Sequence, residues 1–189
     1  MGNKKMISGL SAPFLIGRKL YLRILTKKDI NQRYLNWLND PDVIRFMRHR
    51  AFPTSIESLE SFVTSQKWPN DLLLAIVDKK TDTHIGNIGI SSIDWVNRKA
   101  ELGMVLGDRS FWNKGYMSEA FNLVIEHAFS RMNLHKLYAG TEKDNKSAVA
   151  LFKKTGWVIE GDLKDETFRD KKYINILRFA IFNKKGRNA

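Results

Sequence analysis

The spacing of apolar residues in the first third of the chain predicts one strand followed by three helices. The strand covers residues 19–25. The first helix follows an N-cap at Thr26 with Asp29 in its first turn, the second covers 42–48, and the third begins at the capping-box pattern of residues 54–57. Apolar positions three and four residues apart define the buried faces of the first and third helices: Ile30, Tyr34, Trp37, Leu38, Ile56, Leu59, Phe62 and Val63.

The rest of the chain changes from strands to an alternation of helices and strands. Strands at 72–78, 84–92 and 98–106 are separated by short polar turns, which predicts an antiparallel meander. The remaining elements are a helix at 114–130, a strand at 136–142, a helix at 146–154, and strands near 157–160 and at 172–182. This order predicts an α/β fold with a mixed sheet flanked by helices. We expect one domain over 17–182, an N-terminal extension over 1–16 and a basic tail over 183–189.

Composition narrows the classes of protein. A chain of 189 residues with 43% hydrophobic residues suits one domain with one core. It contains no Cys, which excludes disulfides, thiolate metal sites and a cysteine nucleophile. No apolar run approaches the ~20 residues of a membrane span, and the N-terminus is too polar for a secretory signal, so we expect a soluble cytoplasmic protein with no membrane partner. The four histidines show no metal-ligand spacing, and we assign no metal.

The formal charge of +12 favours anionic partners without choosing among them. Basic residues alternate with aromatic ones at 94–99 and 168–173, so a nucleic-acid-binding module is an alternative function. Acidic residues interrupt both runs, which favours solvated strand edges and argues against nucleic acid as a partner.

A glycine turn precedes the helix at 114–130. Lys114-Gly115 stands where free backbone N–H groups and the positive end of a helix dipole would converge on an anion, and glycine lets a phosphate approach the backbone. One glycine at a helix start is more often a simple turn residue, so the turn alone does not identify a site. The Walker and Rossmann glycine patterns are absent.

Three segments taken together, residues 100–106, 112–120 and 145–157, resemble the GNAT acetyltransferase superfamily in order and spacing. The resemblance is closest to the branch of ribosomal-protein N-terminal, spermidine and amino-sugar acetyltransferases. It implies a GNAT fold, in which a six- or seven-stranded sheet splays between the strands at 100–106 and 136–142 and holds acetyl-CoA, the co-substrate, in the cleft. The residues that it assigns to CoA are Met104, Val105, Leu106, Asn113, Lys114, Gly115, Tyr116, Met117, Ser118, Asn145 and Phe152.

The sequence departs from the family pattern at four of these motif positions. Trp112, Asn113 and Met117 replace the residues usual in the turn, and Phe152 stands where many members carry a tyrosine proposed to protonate the leaving thiolate. Tyr173 is a candidate to replace that acid. The departures leave open a degenerate fold that binds CoA as a scaffold without catalysis.

Glu101 is the candidate catalytic base. An alkylammonium titrates near pH ~10, so an amine acceptor needs help to lose its proton. Glu101 shares a strand face with Gly103 and Val105, and Gly103 leaves room beside the carboxylate. The alternative is an ordinary ion pair between Glu101 and Arg98 or Lys99.

The acceptor is a primary amine, on a small molecule or a peptide, that would take the acetyl group directly in a ternary complex. In the family it enters opposite CoA, between the N-terminal helices and the segment around 161–172, where Trp37 and Arg48 are candidate substrate contacts. The basic charge favours an amino-sugar nucleotide or a protein N-terminus over a polycation such as spermidine. A homodimer is left open.

Overall fold

Eight strands form one sheet in the order β1-β2-β3-β4-β5-β6-β8-β7 in the computed structural model, which describes residues 12–184. All neighbouring strands are antiparallel except β5 and β6, which are parallel. The α/β fold is therefore confirmed, with eight strands instead of six or seven because a two-residue edge strand begins before residue 17. The strands are β1 Leu15–Ile16, β2 Leu20–Ile24, β3 Leu72–Asp78, β4 Thr83–Asp94, β5 Lys99–Leu106, β6 Lys136–Glu142, β7 Val158–Arg169 and β8 Lys172–Phe182.

Five α-helices within the described residues cover the two faces of the sheet, and none of them is long and apolar enough to cross a membrane. They are α1 Gln32–Trp37, α2 Pro41–Ile44, α3 Ile56–Thr64, α4 Tyr116–Ser130 and α5 Lys146–Lys154.

Four helix starts differ from the sequence prediction. The first predicted helix is divided, since Lys27–Asp29 forms a 3-10 turn and α1 begins at Gln32 after the Asn31 cap. Helix α4 begins at Tyr116 instead of residue 114, because the left-handed Gly115 precedes it. Helix α2 begins at Pro41 because Asp40 caps it, and a separate 3-10 turn, Arg48–Ala51, occupies the end of the predicted 42–48 helix. The capping box of α3 consists of Ser55 and Ser58 instead of residues 54 and 57, since the Ser55 hydroxyl accepts from the Ser58 N–H over 3.2 Å.

The core lies in two parts, one on each face of the sheet. Helices α4 and α5 pack against one face through residues such as Phe121, Val124 and Phe152, while α1 and α3 pack against the other through Tyr34 and Leu59. Two predicted core residues of α3 do not reach this second core: Ile56 is 45% exposed and Phe62 is 49% exposed.

The parallel strands β5 and β6 separate soon after they meet. They pair at Lys99 with Lys136, Ala100 with Leu137, and Glu101 with Tyr138, and then diverge. The predicted splay between these strands is therefore present, and it leaves backbone groups of β5 beyond Glu101 without a strand partner on that side. This opening forms a cleft between β5 and β6.

The C-terminal half closes with a long hairpin. The segment around 161–172, predicted as a loop beside the acceptor, is instead most of β7, and only Asp170 and Lys171 turn the chain into β8. The first tail residue, Asn183, is anchored, since its N–H donates to the His135 carbonyl over 2.8 Å.

Candidate active site

The N-terminus of α4 faces the cleft with unpaired donors. Gly115 has φ of 81° and ψ of 5°, the left-handed conformation that glycine adopts without strain, and it carries no capping side chain. The first intrahelical bond joins the Glu119 N–H to the Gly115 carbonyl over 3.2 Å. The backbone N–H groups of 116–118 therefore remain available to an anion at the positive end of the helix dipole.

Two side chains hold this turn in place. The Tyr116 hydroxyl donates to Asp78 Oδ1 over 2.6 Å, and this bond to a carboxylate raises the pKa of Tyr116 to about 12. The Trp112 indole donates to the Leu106 carbonyl over 2.7 Å. Trp112, which departs from the family pattern, thus joins the glycine turn to the end of β5.

A cavity of about 680 Å³ fills the splay between β5 and β6. It is lined by every residue that the resemblance assigned to CoA except Lys114. Lys114 is exposed, and its carbonyl accepts from Lys19 Nζ over 2.7 Å. The volume lies in the range of small-molecule and cofactor sites. We call it the CoA cavity.

Asn145 and Phe152 form the α5 wall of the CoA cavity. Asn145 caps α5 by accepting from the Ala148 N–H over 3.2 Å, and its Nδ2 donates to Thr141 over 3.0 Å. The Phe152 ring is 2% exposed and stacks on Phe179 with 4.7 Å between ring centroids. Phe152 therefore supplies an apolar wall and has no proton to donate.

A second cavity, of about 650 Å³, lies on the opposite side of β5 between α3 and the sheet. Gly103, Met104 and Val105 line both cavities, so the two meet along β5. A Cβ added at Gly103 would have no atom within 4 Å, which shows that the junction is open at this residue. We call this space the acceptor-side cavity.

Glu101 borders the junction. It lies opposite Ser91 of β4 and Tyr138 of β6, is half-buried, and lines the CoA cavity. Its carboxylate forms no ion pair within residues 12–184: Arg98 bonds to Asn133, and Lys99 approaches Asp94. The pairing that the sequence offered as the alternative is therefore not formed, and the carboxylate lies at the cleft.

Comparison with known proteins agrees with this geometry. Residues 19–158 match a family model described as an acetyltransferase (GNAT) domain. The chain belongs to the GNAT acetyltransferases. It is accordingly an acetyl-CoA-dependent N-acetyltransferase, as the three sequence segments predicted, and the uncapped helix N-terminus with its left-handed glycine fits a diphosphate of that co-substrate.

Relatives resemble this acetyltransferase over most of its length. An uncharacterized N-acetyltransferase, p20, of Bacillus licheniformis is 29% identical over 177 residues, which is 90% of this chain and 96% of that protein. The spermidine N(1)-acetyltransferase of Escherichia coli K12 is 26% identical, covering 85% of this chain and 84% of the relative. A spermidine N-acetyltransferase from Vibrio cholerae, solved with CoA and spermine, shares the fold with a TM-score of 0.79 at 24% identity, covering 87% of this chain and 95% of that one.

Three predicted site residues of the acetyltransferase lie away from both cavities. Trp37 is 7% exposed and packs on the His84 ring at 5.1 Å, so it belongs to the core. Arg48 is exposed in the 3-10 turn, and Tyr173 is 67% exposed against the Phe168 ring.

A buried polar network lies beneath Trp37. His84 Nε2 approaches Asn87 Oδ1 at 2.8 Å and the Gly86 carbonyl at 3.0 Å, so this nitrogen carries the proton. Burial lowers the pKa of His84, and the Asp29 carboxylate opposes that effect in part. Asp29 is held by Arg23 at 2.5 Å and 2.9 Å, with both side chains 2% exposed.

A charged cluster beside the CoA cavity was not predicted from the sequence. Glu142, at the end of β6, lies 3.1 Å from Arg50 and accepts from Arg169 over 2.8 Å. The Arg169 guanidinium stacks over Phe46, a residue of the CoA cavity, at 5.0 Å from the ring centroid. No sequence signal joins these residues, since more than 90 positions separate Arg50 from Glu142.

Proposed function

We propose that this acetyltransferase transfers the acetyl group directly to a primary amine in a ternary complex, with Glu101 as the catalytic base. One observation carries the proposal: the CoA cavity and the acceptor-side cavity meet at Gly103–Val105, two residues from an unpaired carboxylate. An amine in the second cavity and a thioester in the first would approach each other along β5. Reactants held in this way gain much of the advantage of an intramolecular reaction.

Glu101 supports the first proton transfer. The amine must lose a proton as its nitrogen bonds to the acetyl carbon, and Glu101 accepts that proton through a water molecule. Bound acetyl-CoA supplies the thioester, whose carbon–sulfur bond breaks as the carbon–nitrogen bond forms. Backbone N–H groups of β5 beyond the β6 pairing are available to the carbonyl oxygen as negative charge develops there.

The leaving sulfur receives no proton from residue 152, because Phe152 has none. Tyr173, which we predicted as a replacement, lines neither cavity. We therefore propose that the thiolate takes its proton from water. A thiol is acidic enough that its thiolate leaves without a strong acid near neutral pH.

The identity of the acceptor amine, the cellular location and the oligomeric state of the enzyme stay predictions. Spermidine is the acceptor named for two relatives, whereas the charge of this chain favoured an amino-sugar nucleotide or a protein N-terminus. A cytoplasmic location and a homodimer also stay predictions. The two basic-aromatic runs lie at hairpin turns, 94–99 between β4 and β5 and 168–173 between β7 and β8, and we do not propose nucleic acid as a partner.

The experiment measures free CoA thiol released from acetyl-CoA in the presence of amines of several classes. We expect release with at least one amine, and intersecting lines when initial rates are measured against both substrates, because transfer without a covalent enzyme intermediate requires both at once. Parallel lines would exclude direct transfer. Tight binding of acetyl-CoA with no thiol release for any amine would support the scaffold alternative instead.

A further inference from the structure

The acceptor-side cavity is lined mainly by apolar side chains. Its floor is the face of β3, β4 and β5 that carries Leu73, Gly89 and Gly103, and its wall is α3 with the segment before it. A cavity of about 650 Å³ is large enough for a small organic molecule. The apolar side chains along it include Leu38, Met47, Phe52, Leu59, Phe62 and Leu72.

Two aromatic rings of this lining are exposed. Phe52 is 75% exposed and Phe62 is 49% exposed, although both line a concave space between α3 and the sheet. Exposed apolar surface inside a concave site indicates an apolar ligand, because covering it removes that surface from water. Phenyl rings and a methionine thioether also pack well against an aromatic ligand.

The charge of the cavity differs from that of the whole protein. Although the chain carries +12, the described residues that line this cavity include no lysine, arginine or histidine, and Asp71 is their one carboxylate. A diphosphate here would have no cation to pair with, and a polyamine would bury several charges against one carboxylate, which is costly. The other polar side chains of the lining are the uncharged ones of Tyr34, Thr54, Ser58, Ser65, Gln66, Asn87 and Ser91.

The carboxylates lie at the end where an ammonium is needed. Asp71 immediately precedes β3, whose Leu72 is opposite Ile90, so Asp71 stands beside Ser91, and Glu101 is opposite Ser91 on the next strand. Neighbouring strands are ~4.8 Å apart, which places the Cα atoms of Asp71 and Glu101 roughly 10 Å from each other across the sheet. Asp71 Oδ2 accepts from the Lys67 N–H over 3.1 Å, which leaves Oδ1 for an ammonium group. One ammonium group can therefore be attracted by Asp71 and deprotonated at Glu101, while the body of the molecule lies along α3.

We infer that the acceptor is a small alkyl or arylalkyl primary amine with a single positive charge. This inference rests on the proposed function, because it names the amine that function would use. The cavity supports it through its apolar lining, its one carboxylate and its continuity with the CoA cavity at Gly103–Val105.

The first test compares thiol release for 2-phenylethylamine and hexylamine with that for spermidine, a nucleotide amino-sugar, an aminoglycoside and short peptides. We expect kcat/KM at least about tenfold higher for the two apolar amines, the discrimination that apolar pockets usually achieve. Preference for spermidine, the amino-sugar or a peptide would overturn the inference while leaving the proposed function intact.

The second test places a charge in the cavity. Phe62→Glu should lower kcat/KM for 2-phenylethylamine at least about tenfold and leave acetyl-CoA affinity unchanged, because Phe62 does not line the CoA cavity. The matched control is Phe168→Glu, since Phe168 is 60% exposed and lines neither cavity. Equal effects of the two variants, or no effect of Phe62→Glu, would contradict the inference.

Calorimetry separates failure of the inference from failure of the proposed function. Suppose that no amine releases thiol, but 2-phenylethylamine binds in the presence of CoA and Phe62→Glu abolishes this binding. The proposed ligand class would then be correct, and the proposed catalytic function would be wrong. If 2-phenylethylamine neither binds nor reacts, the inference is wrong whatever other amines do.

Discussion

Arg169 donates from Nε to Glu142 Oε2 over 2.8 Å, with 7% and 2% of the two side chains exposed. Arg50 approaches the other carboxylate oxygen at 3.1 Å. Glu142 ends β6, Arg169 ends β7, and Arg50 precedes α3, so one buried carboxylate joins three segments that are distant in sequence. Arg169 also stacks on Phe46, which lines the CoA cavity, so the cluster contacts one wall of that cavity.

Replacing this carboxylate should destabilise the fold. Glu142→Gln leaves two guanidinium groups without their buried counter-charge, and Arg169 keeps only the more exposed Asp144 and Asp170 as ion-pair partners. We expect a loss of about 3 kcal/mol in the free energy of unfolding, measured with urea. Glu160→Gln is the control, because Glu160 also pairs with two cations, Lys136 and Arg178, but all three side chains are 23–42% exposed, and the loss should be about 1 kcal/mol or less. Equal losses would show that Glu142 has no special role.

Gly115→Ala should impair acetyl-CoA binding beyond its effect on stability. A side chain at φ of 81° is strained by about 1–2 kcal/mol, and relief of that strain would displace the N–H groups of 116–118 that we propose bind the diphosphate. We expect KM for acetyl-CoA to rise about tenfold, a loss of ~1.4 kcal/mol in binding. Gly156→Ala is the matched control, since Gly156 has φ of 85° but does not line the CoA cavity. It should lose similar stability at unchanged KM, and a parallel rise in KM would argue against the diphosphate site.

Glu101→Gln tests the catalytic base. The amide keeps the size of the side chain and cannot accept the proton, so we expect kcat to fall at least about 10²-fold while the Kd for acetyl-CoA is unchanged. Glu126→Gln, on the exposed side of α4, should leave kcat unchanged. Wild-type turnover in Glu101→Gln with acetyl-CoA bound normally would remove Glu101 from the mechanism.

His84 should make the stability of the enzyme depend on pH. Burial lowers the pKa of folded His84, so below about pH 6.5 the unfolded chain binds a proton that the folded chain excludes. The stability contributed by neutral His84 is complete above about pH 6.5 and is lost as the pH falls toward the lowered pKa of the folded state. Between pH 7 and pH 5, urea unfolding of the wild type should therefore lose more stability than unfolding of His84→Gln. Parallel pH dependences would show that His84 does not contribute.

Local sequence signals determined many elements of this protein. The bounds predicted for β6, α5 and β8 coincide with those observed. Helix α5 follows Asn145, whose side chain caps it, and its start therefore depends on neighbours in sequence. The residues assigned to CoA came from the resemblance of three segments to the family. The cavity that they line also needs β6 and α5, which packing brings beside β5 and the start of α4.

Only the tertiary structure decided which residues meet across the sheet. Trp37 has the helical spacing of a core residue, but an indole ring could also contact a substrate. Its packing on the His84 ring places it in the core. Phe62 belongs to the apolar face of α3, yet a cavity lies where that face would need a partner. Apolar periodicity specifies which side of an element avoids water, whereas the shape of the packed elements decides whether that side meets core or cavity. The sequence by itself thus determined the family and the co-substrate, and its assignment of residues to CoA stays a prediction. The acceptor-side cavity and the Glu142 cluster arise from contacts between distant segments.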